Sequence, residues 1–269
     1  MRLIISHQTN YFYEQLALRS VQYIRMTPMT LPHQTIHNWQ VMLPKVAQMQ
    51  TDGFGNQWLT LSRHEPHNNL QIQAFGEVEI NADTLFIPDN QQVPYQIFAV
   101  PTKLTQCSEA MRDFAHDALE QFLQSEDIDA QLAILKSLAK DLLDKMPYTK
   151  SVTHVGTTAE QAFAMAAGVC QDHTHVFLAL LRDKGIAARY VSGYIYEATQ
   201  AHMASHAWAE VWLAGNWYTF DISNQHFTPN CHVYIAFGRD YADAAPVRGV
   251  RTGGGDERLY SQVMVSTSP

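Results

Sequence analysis

The sequence predicts an α+β chain: a β-sandwich over residues 1–100, followed by helices packed on an antiparallel sheet over residues 101–269. Three observations predict it. The first hundred residues break into short runs rich in β-branched and aromatic residues, separated by turn signals. Near Ser108 the apolar period changes to that of helices. After Gly185 the strand patterns return.

The first-half strands are expected over residues 2–13, 20–28, 33–44, 56–63 and 70–80. Between them sit Thr27-Pro28, Pro44, the cluster Asp52-Gly53-Phe54-Gly55-Asn56 and the run Pro66-His67-Asn68-Asn69. Gly, Pro and Asn at these points punctuate strands, and several short strands at this spacing point to a sandwich-like domain. A Pro-punctuated run over residues 89–105 marks the expected boundary. Ser108 can cap a helix reaching Gln124. A second helix places Ile128, Leu132, Leu135, Leu138 and Leu142 on one face. The stretch Thr157-Thr158-Ala159-Glu160-Gln161 resembles a capping box opening a short helix. A further helix runs from Cys170 to Lys184, with Val176, Phe177, Leu180 and Leu181 apolar, and Gly185 ends it. Strands follow over 187–196, 206–213, 216–223 and 232–237, and one more lies in the tail.

Composition excludes several functions. Apolar residues make up 46% of the chain and charged residues 16%, which suits a large buried core and not disorder. A formal charge of −8 with no Lys/Arg run disfavours nucleic acid as a partner. Cys107, Cys170 and Cys231 are far apart and odd in number, so neither a disulfide framework nor a thiolate zinc site is expected. The apolar stretch Leu3 to Ile5 is too short for a secretory signal. No run of ~18 apolar residues is available to span a bilayer. The expectation is a cytoplasmic protein in a reducing compartment, with no membrane partner.

Chemistry concentrates in three places. Cys170 opens a helix, where free backbone N–H groups and the macrodipole favour an anion, so a thiolate is favoured there. Taken alone, a cysteine is more often core filling. His206 begins a strand, and Asp221 ends the next. A hairpin loop with an even number of residues puts them on one face. A turn at Ala214-Gly215, or the four residues Leu213 to Asn216, leaves them diagonal at ~7–8 Å, within side-chain reach. A turn at Gly215-Asn216 separates them. A carboxylate so placed would hold the imidazole in one tautomer and stabilise its charged form.

Taken together, GVCQDHTHVFLALLRDKGIAARYVSGY, SHAWAEVW and NWYTFDIS resemble the transglutaminase-like core: a G-x-C-x-D helix start, a G-I-x-A-R strand entry, an H-A-W strand and a closing aspartate. The DGFGN turn, the His67, Leu70, Ile72 pattern and the tail GRDYADAAPVRGVRTGGGDERL resemble the two-domain bacterial members. The resemblance implies a papain-like fold, with Cys170 as nucleophile, His206 as base and Asp221 as its orienter. It implies acyl transfer on amide or peptide bonds through a thioester, with hydrolysis favoured, as in a cysteine protease or amidase. The acceptor can instead be an amine, and a non-catalytic interaction module retaining the fold is the alternative from another class. Where many relatives carry Asp-Pro, this chain has Asp221-Ile222, which changes the turn and keeps the carboxylate.

The expected partner is a peptide, a protein or a small amide. No cofactor and no metal is expected, since His173, His175 and His202 do not share a face with His206. Gln161 is read as a helix cap and not as an oxyanion donor. Asp172 is read as stabilising the helix start or a neighbouring loop, Trp208 as a cleft wall or core, and Cys107 and Cys231 as structural.

Overall fold

The computed structural model describes residues 1–197 and 205–267. Strand β1 (Arg2–Ile24) is the spine of the first half. Its residues alternate between buried and exposed, with Leu3, Ile5, His7, Thr9, Tyr11 and Tyr13 turned inward. This is the period-2 pattern that buries one face of a strand.

Two tracks of strand flank β1. On one edge β4 (Gln57–Arg63) pairs with its C-terminal half and β5 (His67–Ile80) with its N-terminal half. On the other edge β11 (Val247–Gly253) and β12 (Glu257–Thr267) do the same. Both tracks break opposite residues 12–19, where the register shifts. Such irregularities bend a sheet and strengthen its twist. Outside them, β2 (Gln34–Met42) pairs with β5 and β3 (Gln48–Thr51) with β4. The result is one curled, seven-stranded antiparallel sheet whose last two strands come from the end of the chain.

Four helices follow: α1 (Glu109–Gln124), α2 (Ile128–Lys145), α3 (Ala159–Met165) and α4 (Cys170–Asp183). Ser108 caps α1 by accepting from the Met111 N–H, and Thr158 and Gln161 form the capping box of α3. Every residue from Asp172 to Arg182 is buried, so α4 is the central helix. It packs on a five-stranded sheet in the order β10 (His232–Gly238), β7 (Ala188–Ile195), β8 (His206–Leu213), β9 (Asn216–Phe220) and β6 (Ile87–Pro88). A short helix, α5 (Tyr241–Ala244), leads from β10 towards β11.

The two sheets share a core. Leu3, Ile5, Val78, Ile80, Val263 and Val265 of the first sheet pack in the same cluster as Leu135, Leu142, Phe177 and Leu181 of the helices. The segment over residues 89–105 packs on the second sheet. Tyr95 stacks on Trp212 at 3.8 Å, and Phe98 is buried against Trp217 and Phe237. The buried Arg182 guanidinium donates to the carbonyls of Phe98, Ala188 and Arg239 and to the Thr105 hydroxyl. One charged side chain at the end of α4 thereby satisfies four oxygens from three segments, which sets the position of the helix. None of the described helices is long and apolar enough to cross a membrane.

Candidate active site

Cys170 is the first residue of α4, half-buried, and the preceding Val169 is extended. The N–H groups of Cys170, Gln171 and Asp172 have no acceptor within the helix. Asp172 organises this start by turning its carboxylate back. Its Oδ2 accepts from the Val169 N–H at 2.8 Å and from the Thr153 hydroxyl at 2.6 Å. The helix entry is thus tied to the loop before α3. Gly168 is required there, because a Cβ would lie 2.6 Å from Asp172 Cβ.

His206 opens β8, and the β8–β9 turn is Ala214-Gly215, with positive φ at both residues (46° and 85°). This is the primed two-residue turn that matches strand twist. It is also the register that leaves Asp221 diagonal to His206. Asp221 follows β9 and bridges to His226. His206 Nε2 donates to Asp221 Oδ2 at 2.7 Å, with Asp221 fully buried. Burial opposes the charge on His206. The Asp221 carboxylate and the adjoining Cys170 outweigh it and push the imidazole up to about 10. Burial likewise opposes the charge on Asp221, and the two histidines it accepts from overcome it and hold the carboxyl far below the usual carboxylate range.

Two neighbours carry no chemical signal in the sequence. Asn224 donates from Nδ2 to Asp221 Oδ2 at 2.9 Å, and its N–H donates to Oδ1 at 3.2 Å. His232 opens β10, fully buried, and its Nε2–H donates to the same Oδ2 at 3.1 Å. Burial lowers the His232 pKa, so the ring is neutral, and its bare Nδ1 faces the Cys231 thiol at 3.6 Å. Three donors therefore converge on one carboxylate oxygen. A short Asp-x-x-Asn spacing could have flagged Asn224 as a turn residue. Nothing local marks His232, because its strand joins the site only through tertiary pairing.

His206, Asp221 and His232 are also metal-ligand types, with one ligand atom each within 4.8 Å. Their spacings of 2.7 and 3.1 Å are those of hydrogen bonds, and His206 holds its proton tightly. The group fits a hydrogen-bonded chain better than an ion. His173 is instead a buried staple, with Nε2–H donating to the Met146 carbonyl at 2.7 Å and Nδ1 accepting from the Ser223 hydroxyl at 2.8 Å. His175 accepts from the Tyr241 N–H and is pushed down to about 3 by burial. His202 lies outside the described residues. Trp208 is fully buried beneath the histidines, 4.6 Å from the His232 ring. Gln161 is held in its cap. Burial, followed by the Cys170 thiol, pushes the phenol of Tyr148 up to about 12 and that of Tyr190 well above its usual value.

Comparison with known proteins bears on the fold and on two regions of the chain. Residues 119–222 match the transglutaminase-like superfamily core, and residues 3–79 match the bacterial transglutaminase-like N-terminal region. An uncharacterized protein of Mycobacterium leprae is 26% identical over 268 residues, covering 94% of each chain. One from Mycobacterium tuberculosis is 26% identical over 282 residues, covering 93% of this chain and 87% of the relative. A crystal structure from Cytophaga hutchinsonii, described as a "putative cysteine protease", superposes with a TM-score of 0.77 at 22% identity, covering 99% of this chain and 90% of that one. Residues 119–222 are thus a transglutaminase-like superfamily core, and residues 3–79 before it are a bacterial transglutaminase-like N-terminal region.

Proposed function

We propose that the chain performs acyl transfer on amide or peptide bonds through a thioester on Cys170, with Cys170, His206 and Asp221 as its catalytic triad. The observation that carries this reading is the position of His206. The ring is buried and charged, with Asp221 on Nε2 and Cys170 as its other neighbour. Cys170 sulfur attacks the carbonyl carbon, and the oxyanion is met by the free Cys170 N–H at the helix start. His206 gives its proton to the leaving amine as the C–N bond breaks, leaving a thioester. His206 then takes a proton from water as it attacks, and collapse releases the carboxylic acid and expels the Cys170 thiolate beside the recharged imidazolium.

Hydrolysis is favoured over transfer to an amine, because Cys170 is only half-buried and the neighbouring Tyr148 is 46% exposed, so water reaches the thioester. The similarity in fold to the Cytophaga hutchinsonii protein, described as a "putative cysteine protease", points the same way. A reducing compartment such as the cytoplasm suits the reading, since all three cysteines are free.

Iodoacetamide near neutral pH tests it. Burial pushes the Cys107 thiol up to about 11 and the Cys231 thiol up to about 12, so both should label slowly. Cys170 should label first, and Cys170→Ala should abolish turnover of a fluorogenic peptide pool at an unchanged melting temperature. Equal labelling of the three thiols, with turnover surviving in Cys170→Ala, overturns the reading and favours a non-catalytic module.

A further inference from the structure

Strand β11 pairs with β1 along one edge, and among the described residues no strand occupies its other edge. The Arg25 N–H donates to the Pro246 carbonyl at 2.7 Å, which sets the phase of the ladder. Arg248, Val250 and Thr252 therefore turn their main-chain groups towards β1. Val247, Gly249 and Arg251 turn theirs outward, where none has a partner among the described residues. Open edges with unpaired N–H and C=O groups are templates for another strand, and proteins usually cover or block them.

This edge is accessible, with Arg248, Gly249 and Val250 exposed. It forms one wall of a cavity of about 450 Å³, within the range of ligand pockets. Tyr11, Gln22, Val155, Gly156 and Tyr241 line the same cavity. Two of these lead to the start of α4. Gln171, the residue after Cys170, donates from Nε2 to the Val155 carbonyl at 3.2 Å, and the Tyr241 N–H donates to His175 of the same helix at 3.1 Å. At ~3.3 Å per residue, the five residues from Val247 to Arg251 span ~13 Å, the length of about four extended residues. Gly249 lies against the Gln22 side chain, whose Oε1 a Cβ there would meet.

We propose that the free edge of β11 docks the acyl side of the substrate as an added antiparallel strand, so that the substrate is an extended polypeptide segment and not a small amide. The proposal rests on Cys170 being the nucleophile. Outward groups at Val247, Gly249 and Arg251 provide main-chain hydrogen bonds at every second residue, a mode of recognition that reads backbone and tolerates varied side chains.

Peptidyl aldehydes of one to five residues test it, since an aldehyde forms a reversible adduct with a reactive thiol. The readout is protection of Cys170 from iodoacetamide in the full chain, which requires no known substrate. Protection should tighten by about 10²-fold from one residue to four, on the order of tenfold for each pair of main-chain hydrogen bonds gained. Methylating the amide nitrogens one at a time should reverse the gain at alternate positions only. Arg251→Pro removes an outward N–H and leaves the β1 ladder intact, whereas Arg251→Ala removes only the side chain. The proline variant should lose at least tenfold more protection by the four-residue aldehyde than the alanine variant. Equal protection at every length, indifferent to N-methylation, overturns the docking strand while leaving Cys170 as nucleophile. Absence of protection at any length overturns both. The N-methyl series decides the matter if the proline variant fails to fold.

Discussion

Replacing Asp221 with Asn changes one atom of the site and separates a catalytic carboxylate from a turn cap. Asp221 Oδ2 accepts from His206, Asn224 and His232, and Oδ1 accepts from the Asn224 N–H. A carboxylate meets these four donors with oxygen on both sides. An amide cannot, because whichever way it is placed its NH₂ faces a donor. The substitution also removes the negative charge that holds a proton on buried His206. Leaving one member of a buried ion pair uncompensated costs about 3–5 kcal/mol. His206 avoids that cost by going neutral, since burial alone drives its pKa down.

If about 3–4 kcal/mol of this stabilisation acts in the transition state, kcat falls by about 10²–10³-fold at 1.36 kcal/mol per factor of ten. The assay is turnover of the fluorogenic peptide pool by Asp221→Asn, with thermal unfolding measured on the same sample. A turn cap tolerates Asn, which also caps well. Turnover at the wild-type rate with an unchanged melting temperature would refute the reasoning and remove Asp221 from the site.

Other perturbations bear on the same arrangement. His232→Phe removes one charge-assisted donor to Asp221 and should lower kcat by about tenfold, while His232→Gln, which can donate again, should recover most of it; equal losses in both would refute a positioning role. Gly168→Ala forces Asp172 off the Val169 N–H and should cost ~2 kcal/mol, or ~4–8 °C in melting temperature, and an unchanged melt would show that the helix entry adapts. Acid should destabilise the protein below pH 6.5. Burial pushes His7 and His33 down to about 4 and His175 to about 3, and lowers His173 and His232, so the unfolded chain takes up protons that the folded one refuses. Each contributes up to about 1.4 kcal/mol per pH unit, present above pH 6.5 and lost as the pH falls towards the folded value. His206 acts with the opposite sign, its stabilisation full below pH 6.5 and lost as the pH rises through about 10. A melting temperature flat from pH 7 to 4 would contradict this balance.

The amino-acid sequence by itself determined what local period and spacing encode. The α+β class follows from strand alternation in β1, the helical stripe of α2 and the return of strands after Gly185. The candidate residues were legible for similar reasons. A cysteine at a helix start needs only the helix to be recognised, and His206 and Asp221 share a face by the parity of one hairpin.

The tertiary structure alone decided three things. It returned β11 and β12 to β1, closing the first sheet with the end of the chain and forming a cavity that Val155 and Tyr241 also line. It set β10 beside β7, which carried His232 onto the carboxylate of Asp221. It also chose the turn at Ala214-Gly215 from the registers the hairpin allowed. The physical reason is common to all three. Strand pairing is made by backbone groups that every residue carries, so partners distant in sequence leave no local pattern, and only packing of the shared core selects among them.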